Sequence, residues 1–175
     1  MPDWQAEAII LSVRPHGEGS AVISVLTADY GRHAGLVRGG ASSKMRGIMQ
    51  PGNRVRVSWR ARLSEQLGQM QIELIQSVPA LLLDSPLRLS GVASMCALLD
   101  GALPEREAQP GLFEGSTALL DVIVLDDDNA GWIEGYVRWE LGLLATVGYR
   151  LDLARCVASG LTNDLAFVSP KSGGA

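Results

Sequence analysis

The fold is decided by a ten-residue stretch in the first half of the chain, Arg54-Val-Arg-Val-Ser-Trp-Arg-Ala-Arg-Leu63. Apolar and polar side chains alternate along it, and a period of two is typical of a β-strand with one buried face. The predicted core set is Val55, Val57, Trp59, Ala61 and Leu63. The opposite face carries four arginines, which are Arg54, Arg56, Arg60 and Arg62. Such a row of like charges repels itself unless an anion lies against it, so this strand predicts a polyanionic partner.

Short strands separated by turn signals make up the rest of the first 78 residues. We expect strands over residues 5–14, 20–27, 32–38 and 69–77 in addition to the quoted stretch. A polar loop, residues 39–47, separates the third strand from the fourth and carries Lys44 and Arg46. Five short strands with a gap after the third fit a small barrel, and an OB-fold is the leading candidate.

After Val78 the pattern changes to that of helices. Prolines are expected to open the first helix at Ser85-Pro86 and the second at Pro110. A third helix is predicted over residues 130–147 after an acidic capping linker, 126–129, and a short fourth helix over 152–159. The fold class is therefore β plus α, in which a five-stranded OB-fold barrel (residues 1–78) is followed by an all-α helical domain (residues 79–175).

Apolar spacing predicts the buried faces of these helices. In the first helix the predicted face is Leu87, Leu89, Val92, Met95, Cys96 and Leu99. In the third helix it follows the positions Ile133, Tyr136, Val137, Glu140, Leu141 and Leu144.

Charge is distributed very unevenly along the chain. The protein has a net charge of −4, yet between Asp29 and Glu65 it carries only basic charges. We predict that these eight side chains contact a nucleic acid: Arg32, Arg38, Lys44, Arg46, Arg54, Arg56, Arg60 and Arg62. Arginine and lysine neutralise phosphates, and the resulting affinity is independent of base sequence and sensitive to salt. The competing interpretation is a solvated sheet face that is merely rich in arginine.

No arrangement of residues indicates catalysis. His16 and His33 have no cysteine or acidic cluster at metal-ligand spacing, and the Gly/Ser-rich loop lacks the spacing of a Walker motif. We therefore expect no enzymatic activity and no cofactor. Aromatic residues near the basic block are few, with Trp59 predicted in the core and Trp4 and Tyr30 as surface candidates. Their scarcity favours contact with the nucleic-acid backbone over stacking with bases.

The first seven residues are acidic and lack an apolar stretch, so we expect no secretory signal. The apolar runs are too short to span a bilayer, and the two cysteines give no disulfide framework. These features predict a cytoplasmic protein without a membrane partner.

Five stretches are similar to those of a known family and occur in the same order along nearly the whole chain. They are Glu7-Ala-Ile-Ile-Leu-Ser-Val-Arg14, His16-Gly-Glu-Gly-Ser20, Thr27-Ala-Asp-Tyr-Gly-Arg-His33, Leu36-Val-Arg-Gly-Gly-Ala41 and Leu161-Thr-Asn-Asp-Leu-Ala-Phe-Val-Ser-Pro170. In these stretches the chain resembles the RecO family of bacterial recombination mediators, and its alphaproteobacterial branch most. The resemblance implies an N-terminal OB-fold, a C-terminal helical domain, binding to single- and double-stranded DNA and annealing of complementary strands. It also implies that the protein acts with RecR to load RecA on DNA coated by single-strand binding protein (SSB), without nucleotide hydrolysis.

The chain departs from the family pattern in two ways. Many members hold zinc with two Cys-x-x-Cys pairs, whereas here Cys156 is followed by Ser159 at the second cysteine position. A lone cysteine does not make a four-ligand site, so we expect no zinc. Relatives also extend beyond the equivalent of Ala175, so the resemblance implies a helical domain that is incomplete at its C-terminal end.

The leading hypothesis is a DNA-binding mediator, associated with the nucleoid, whose basic residues neutralise two DNA backbones while the helical domain docks SSB and RecR. Two alternatives stay open. The barrel could bind an acidic protein tail as an interaction adaptor, or the chain could be a small RNA-binding protein.

Overall fold

The first half of the chain forms a closed barrel. The computed structural model describes residues 2–40, 42–126 and 131–175. The strands are β1 (Asp3–His16), β2 (Ser20–Thr27), β3 (Gly31–Arg38), β4 (Arg54–Arg60) and β5 (Gln69–Gln76), and they close in the order β1-β2-β3-β5-β4. Neighbouring strands are antiparallel except β3 and β5, which pair in parallel through Leu36 and Gln69. This five-stranded barrel with one weak seam is OB-fold-like, so the predicted fold class is confirmed.

Helices occupy most of the second half. The helical elements are α1 (Ser43–Ile48), α2 (Val78–Leu81), α3 (Pro86–Ala102), α4 (Pro110–Leu125) and α5 (Gly131–Thr146). Prolines open α3 and α4 as predicted. Proline is tolerated in the first turn because the N–H groups of that turn have no partner within the helix. In the part of the chain that the structure describes, every helix is too short or too polar to cross a membrane.

The alternation in β4 forms the barrel interior as predicted, with one exception. Val55 and Val57 are fully buried, and Trp59 and Ala61 nearly so. The prediction for Leu63 is wrong, because β4 ends at Arg60 and the chain turns away, leaving Leu63 59% exposed.

A β-bulge in β1 lets the barrel share a second core with the helices. The pairing register with β2 shifts between Ile10 and Ser12, which inserts Leu11 as an extra residue. Ile10 points into the barrel, whereas Ile9 and Leu11 pack outside it against residues of α3, α4 and α5. The barrel and the helices are therefore joined by a continuous apolar cluster.

Two predictions of local structure are wrong. The segment 39–47, predicted as a loop, contains part of the short helix α1, because the Ser42 hydroxyl accepts a hydrogen bond from the Met45 N–H at 3.3 Å and caps it. The helix predicted over 152–159 is absent. Its backbone bonds instead to the C-terminal residues, with the Asp152 N–H donating to the Gly173 carbonyl at 2.9 Å. The predicted linker, 126–129, and the predicted start of the third helix at residue 130 lie outside the described residues, apart from Asp126.

The buried face of α5 is rotated from the predicted one. Trp132, Trp139 and Leu143 are buried, whereas Val137 is 50% exposed. The two tryptophans dominate the packing, and the Trp139 indole N–H donates to the Ser116 hydroxyl at 2.9 Å inside the core. On α3 the predicted face is confirmed for its buried members Val92, Met95, Cys96 and Leu99, but not for Leu87, which is exposed.

The segment between α3 and α4 lies directly on the barrel. The Arg106 N–H donates to the Arg32 carbonyl at 2.7 Å. Gly31, whose φ is +61°, touches the same segment, and a Cβ at this position would lie 1.9 Å from the Glu107 carbonyl oxygen. Glycine is required here both by its backbone conformation and by the close approach of the two halves.

Candidate nucleic-acid interface

The outer face of the barrel carries three rungs of side chains from β1, β4 and β5. The strand register sets the rungs as Asp3, Arg60 and Gln69; then Gln5, Ser58 and Gln71; then Glu7, Arg56 and Glu73. The arginines of β4 alternate to this outer side as the sequence predicts, and Arg56 and Arg60 are both exposed. The rungs therefore determine which charges surround each arginine.

Arg56 stands between two carboxylates. Its guanidinium lies 3.7 Å from Glu73 and 4.0 Å from Glu7, and all three side chains are more than half exposed. Ion pairs as exposed as these contribute about 0–1 kcal/mol, so a phosphate can compete for the arginine. The acid-free block in the sequence acquires acidic neighbours in space because β1 and β5 flank β4. Cross-strand register is the signal that would have shown this.

Two of the eight predicted cations reach the helical half. The Arg54 guanidinium lies 3.2 Å from the Asp121 carboxylate of α4. The Arg32 guanidinium donates to the Leu103 carbonyl at 2.8 Å and lies within 3.5 Å of two carboxylates, those of Asp100 and Glu105. Both arginines are largely covered by these contacts, so they hold the barrel against the helices.

The other five predicted cations have no ion-pair partner within residues 2–40, 42–126 and 131–175. They are Arg38, Lys44, Arg46, Arg60 and Arg62, and all five are exposed. Arg38 ends β3, Lys44 and Arg46 lie on α1, Arg60 ends β4, and Arg62 follows in the loop to β5.

A cleft runs over the seam between β3 and β5 and brings several of these cations together. Its main part, about 760 Å³, is lined by Arg38 and Arg60, by Met45 of α1 and by polar side chains of the first two rungs, which we call the upper rungs. An adjoining second cavity of about 400 Å³ shares Arg60 and Gln69 with it and adds Arg62 and Gln66. We call the two parts together the basic groove. Lys44 and Arg46 do not line it, but they flank Met45 on the same short helix.

The polar lining of the groove was not singled out from the sequence. It consists of Asp3, Gln5, Ser58, Gln69 and Gln71. The amide and hydroxyl side chains among these both donate and accept hydrogen bonds, so they suit the sugars, base edges and phosphates of a nucleic acid, whereas the Asp3 carboxylate only accepts and repels phosphate.

An aromatic cluster lies beside the groove but is already stacked within the protein. The Trp4 ring stacks on Tyr30 with centroids 4.3 Å apart and on Trp59 at 5.7 Å. Trp59 is buried as predicted, while Trp4 is half-buried and lines the groove. Because Tyr30 and Trp59 occupy the stacking positions around Trp4, this ring does not offer a free platform for a base.

His33 belongs to the same cluster and is uncharged at neutral pH. Its ring packs edge-on to Trp4 and Trp59. Burial, followed by the positive charge of Arg106, lowers the pKa of His33 to about 4. Neither ring nitrogen has a hydrogen-bond partner among the described residues. The imidazole therefore adds no positive charge to the groove.

Within the described residues, no three histidine, cysteine or acidic side chains lie close enough together to bind a metal ion. Cys156 sits in a turn in which the Gly160 N–H donates to its carbonyl at 2.8 Å. Hydrogen bonding from Ser159 lowers the pKa of the Cys156 thiol. The absence of zinc and of catalysis stays a prediction.

Family models match nearly the whole chain. The model described as "Recombination protein O N terminal" matches residues 1–78, and the one described as "Recombination protein O C terminal" matches residues 83–175.

Individual relatives agree with these matches. The chain is 50% identical over 173 residues to a protein of Rhodospirillum centenum named "DNA repair protein RecO", covering 98% of this chain and 68% of the relative. Proteins of the same name from Jannaschia and Rhodospirillum rubrum are 47% and 44% identical, over 98% and 99% of this chain and 68% and 69% of the relatives.

Proposed function

The chain belongs to the RecO family, and from that premise we propose that it is a DNA repair protein that binds DNA and mediates recombination without enzymatic activity. The observation that carries this proposal is the group of five exposed cations without carboxylate partners in the described structure, three of which line one groove. Arginine and lysine in this arrangement neutralise phosphates, which is the sequence-independent part of DNA binding.

The groove supports a specific path for one DNA strand. Phosphates contact Arg38, Arg60 and Arg62, while sugars and base edges meet the amide and hydroxyl side chains of the upper rungs. Because Trp4 is stacked within the protein and offers no free platform for a base, the groove favours a single strand held mainly through its backbone. Arg56 joins the contact when a phosphate displaces its exposed carboxylate neighbours.

Annealing requires a second cationic surface, which α1 provides beside the groove. Lys44 and Arg46 lie on α1 beside the groove and are free to neutralise a second backbone. With both backbones partly neutralised, the repulsion between complementary strands falls and they can pair. This step needs no nucleotide hydrolysis and no cofactor.

Protein partners are assigned to the other half. Residues 79–175 carry a net charge of −7, which disfavours DNA there, whereas residues 1–78 carry +3. We therefore divide the chain into a DNA-binding domain, 1–78, and a helical domain, 79–175, that docks SSB and RecR so that RecA loads on SSB-coated strands. DNA as the ligand places the protein in the cytoplasm at the nucleoid.

A salt titration tests the DNA-binding step. Fluorescence anisotropy with a labelled oligodeoxynucleotide should give a log–log slope of affinity against salt of about −2 to −3.5, as expected for three to five phosphate contacts on a single strand. An affinity that does not change with salt contradicts the proposal. Much tighter binding to RNA of the same sequence would favour the RNA-binding alternative.

Mediator activity needs its own experiment. Complementary oligonucleotides coated with SSB should anneal faster in the presence of the protein, and an acidic peptide should compete with DNA only if it occupies the same groove. No acceleration of annealing on coated strands would contradict the mediator role while leaving DNA binding intact.

A further inference from the structure

One arginine of the helical half holds the loop that borders the basic groove. Arg106 lies between α3 and α4, and its guanidinium donates to the carbonyl oxygens of Ser64 and Gln66, the latter at 2.9 Å. Both carbonyls belong to the loop that connects β4 to β5. A guanidinium presents its donors in a rigid fork, so it fixes two carbonyls of one loop at the same time.

The backbone of Arg106 is anchored separately. Its N–H donates to the Arg32 carbonyl at 2.7 Å, at the edge of β3. Its φ of +63° lies in the left-handed region, which a residue other than glycine rarely adopts. Because the backbone is fixed on the first residues of β3, the side chain links that strand to the β4–β5 loop.

The loop has little else to hold its central part. Side chains from Arg62 to Leu67 are all exposed. The Leu67 carbonyl accepts the Trp59 indole N–H at 3.0 Å and the Gly68 carbonyl accepts the Leu36 N–H at 3.0 Å, but both bonds lie at the loop's far end. Arg62 stands two residues before Ser64 and lines the smaller part of the groove with Gln66.

We propose that Arg106 is a positioning residue for nucleic-acid binding, which holds the β4–β5 loop so that Arg62 faces the groove. This inference rests on the proposed function, since it assumes that the groove binds DNA. Both terminal nitrogens of the Arg106 guanidinium donate to carbonyl oxygens, and the role that we assign to Arg106 is exerted through the loop and not by contact with phosphate. Ligands of the helical half that move the 103–109 segment would thereby alter DNA binding.

The test compares Arg106→Gly, Arg62→Ala and the double variant. Glycine at 106 keeps the backbone N–H and suits the positive φ, so Arg106→Gly removes the side chain without straining the fold. Each single variant should bind an oligodeoxynucleotide about fivefold more weakly than wild type. In the Arg62→Ala background, Arg106→Gly should change affinity by less than about twofold, because the cation that it positions is already gone.

A second readout reports the loop in the absence of DNA. Amide hydrogen exchange by NMR should rise at Gln66, whose N–H donates to the Leu63 carbonyl within the loop, and stay unchanged in β2. This measurement shows whether Arg106 holds the loop, while DNA binding by the wild type tests the proposed function separately.

The possible results either support or overturn the positioning role of Arg106. Non-additive affinities with faster loop exchange support the positioning role. If the losses of affinity are additive, and the salt slope of the double variant is shallower by the equivalent of about two phosphate contacts, Arg106 binds phosphate directly. That result overturns the positioning role. Unchanged loop exchange in Arg106→Gly also overturns it. If the wild type binds no DNA, the proposed function fails and the positioning role fails with it, even where the loop exchange responds.

Discussion

The Arg54 guanidinium lies 3.2 Å from the Asp121 carboxylate, so the first arginine of the β4 row is tied to the helical half. Arg60, on the same face of the same strand, lines the basic groove and has no carboxylate within ion-pair distance in the described structure. The sequence pattern does not distinguish these two arginines. In the structure Arg54 pairs with the helical half, whereas Arg60 lines the groove, because different elements pack against the two ends of β4.

This difference predicts that the same substitution lowers DNA affinity at Arg60 and protein stability at Arg54. Arg60→Gln should weaken binding to single-stranded DNA by about five- to tenfold. It should also make the log–log slope of affinity against salt shallower by about 0.7, the equivalent of one phosphate contact. Arg54→Gln should leave affinity within about twofold, but lower the free energy of unfolding by about 1 kcal/mol, because a partly buried ion pair is lost. Anisotropy titrations and urea denaturation measure the two quantities. Equal losses of DNA affinity in both variants would contradict the division of roles.

The carboxylates beside Arg56 predict a gain of affinity. Glu73→Gln removes the acid 3.7 Å from the guanidinium and leaves the side chain nearly the same size. Affinity for DNA should rise by about two- to fivefold at low salt, since a repulsive charge is lost and Arg56 is freed for phosphate. Glu18→Gln, which removes an equal charge from the exposed turn between β1 and β2 and does not line the groove, is the matched control and should have a smaller effect. If both variants gain equally, only the net charge matters and the local pairing of Arg56 does not.

Much of the barrel could be read from the sequence because its signals are local. The alternation around Val55 and Val57 identifies the buried face of β4 from neighbouring residues alone. The prolines that open α3 and α4 likewise act within one helical turn. The face of α5 was misjudged because the packing of Trp132 and Trp139 against other helices, not the local spacing, decides it.

The site was harder to predict for the same reason. The acid-free block suggested eight equivalent cations, but the neighbours of Arg32 come from residues about seventy positions away. Glu7 and Glu73 reach Arg56 only through strand register. Arg106 carries no sequence signal at all, since its partners are main-chain carbonyls brought close by the fold.

The contact of Gly31 with the helical half predicts a large loss of stability. In Gly31→Ala the new Cβ meets the Glu107 carbonyl at 1.9 Å, and φ of +61° adds strain, so the free energy of unfolding should fall by about 3 kcal/mol or more. Gly17 has the same φ but open space around it, so Gly17→Ala should cost only about 1 kcal/mol. Thermal and urea denaturation measure both variants. Similar losses in the two would mean that the 103–109 segment does not press on β3.

The buried imidazole of His33 predicts a specific dependence of stability on pH. Burial and the charge of Arg106 lower the pKa of His33 in the folded protein to about 4, below its ordinary value of 6.5. Between these values the unfolded chain binds a proton that the folded protein does not, so stability is complete above about pH 6.5 and falls as the pH drops towards 4. At pH 4.5 the free energy of unfolding should therefore be lower by on the order of 2 to 3 kcal/mol because of His33.

His33→Phe keeps a ring between Trp4 and Trp59 and loses no hydrogen bond, since neither ring nitrogen has one in the described structure. Urea denaturation from pH 7 to pH 4.5 should therefore show a smaller loss of stability in His33→Phe than in wild type, while His16→Gln, a change in the exposed hairpin, should follow wild type. The same loss in His33→Phe as in wild type would mean that other groups carry the acid sensitivity and that His33 accepts its proton in the folded barrel.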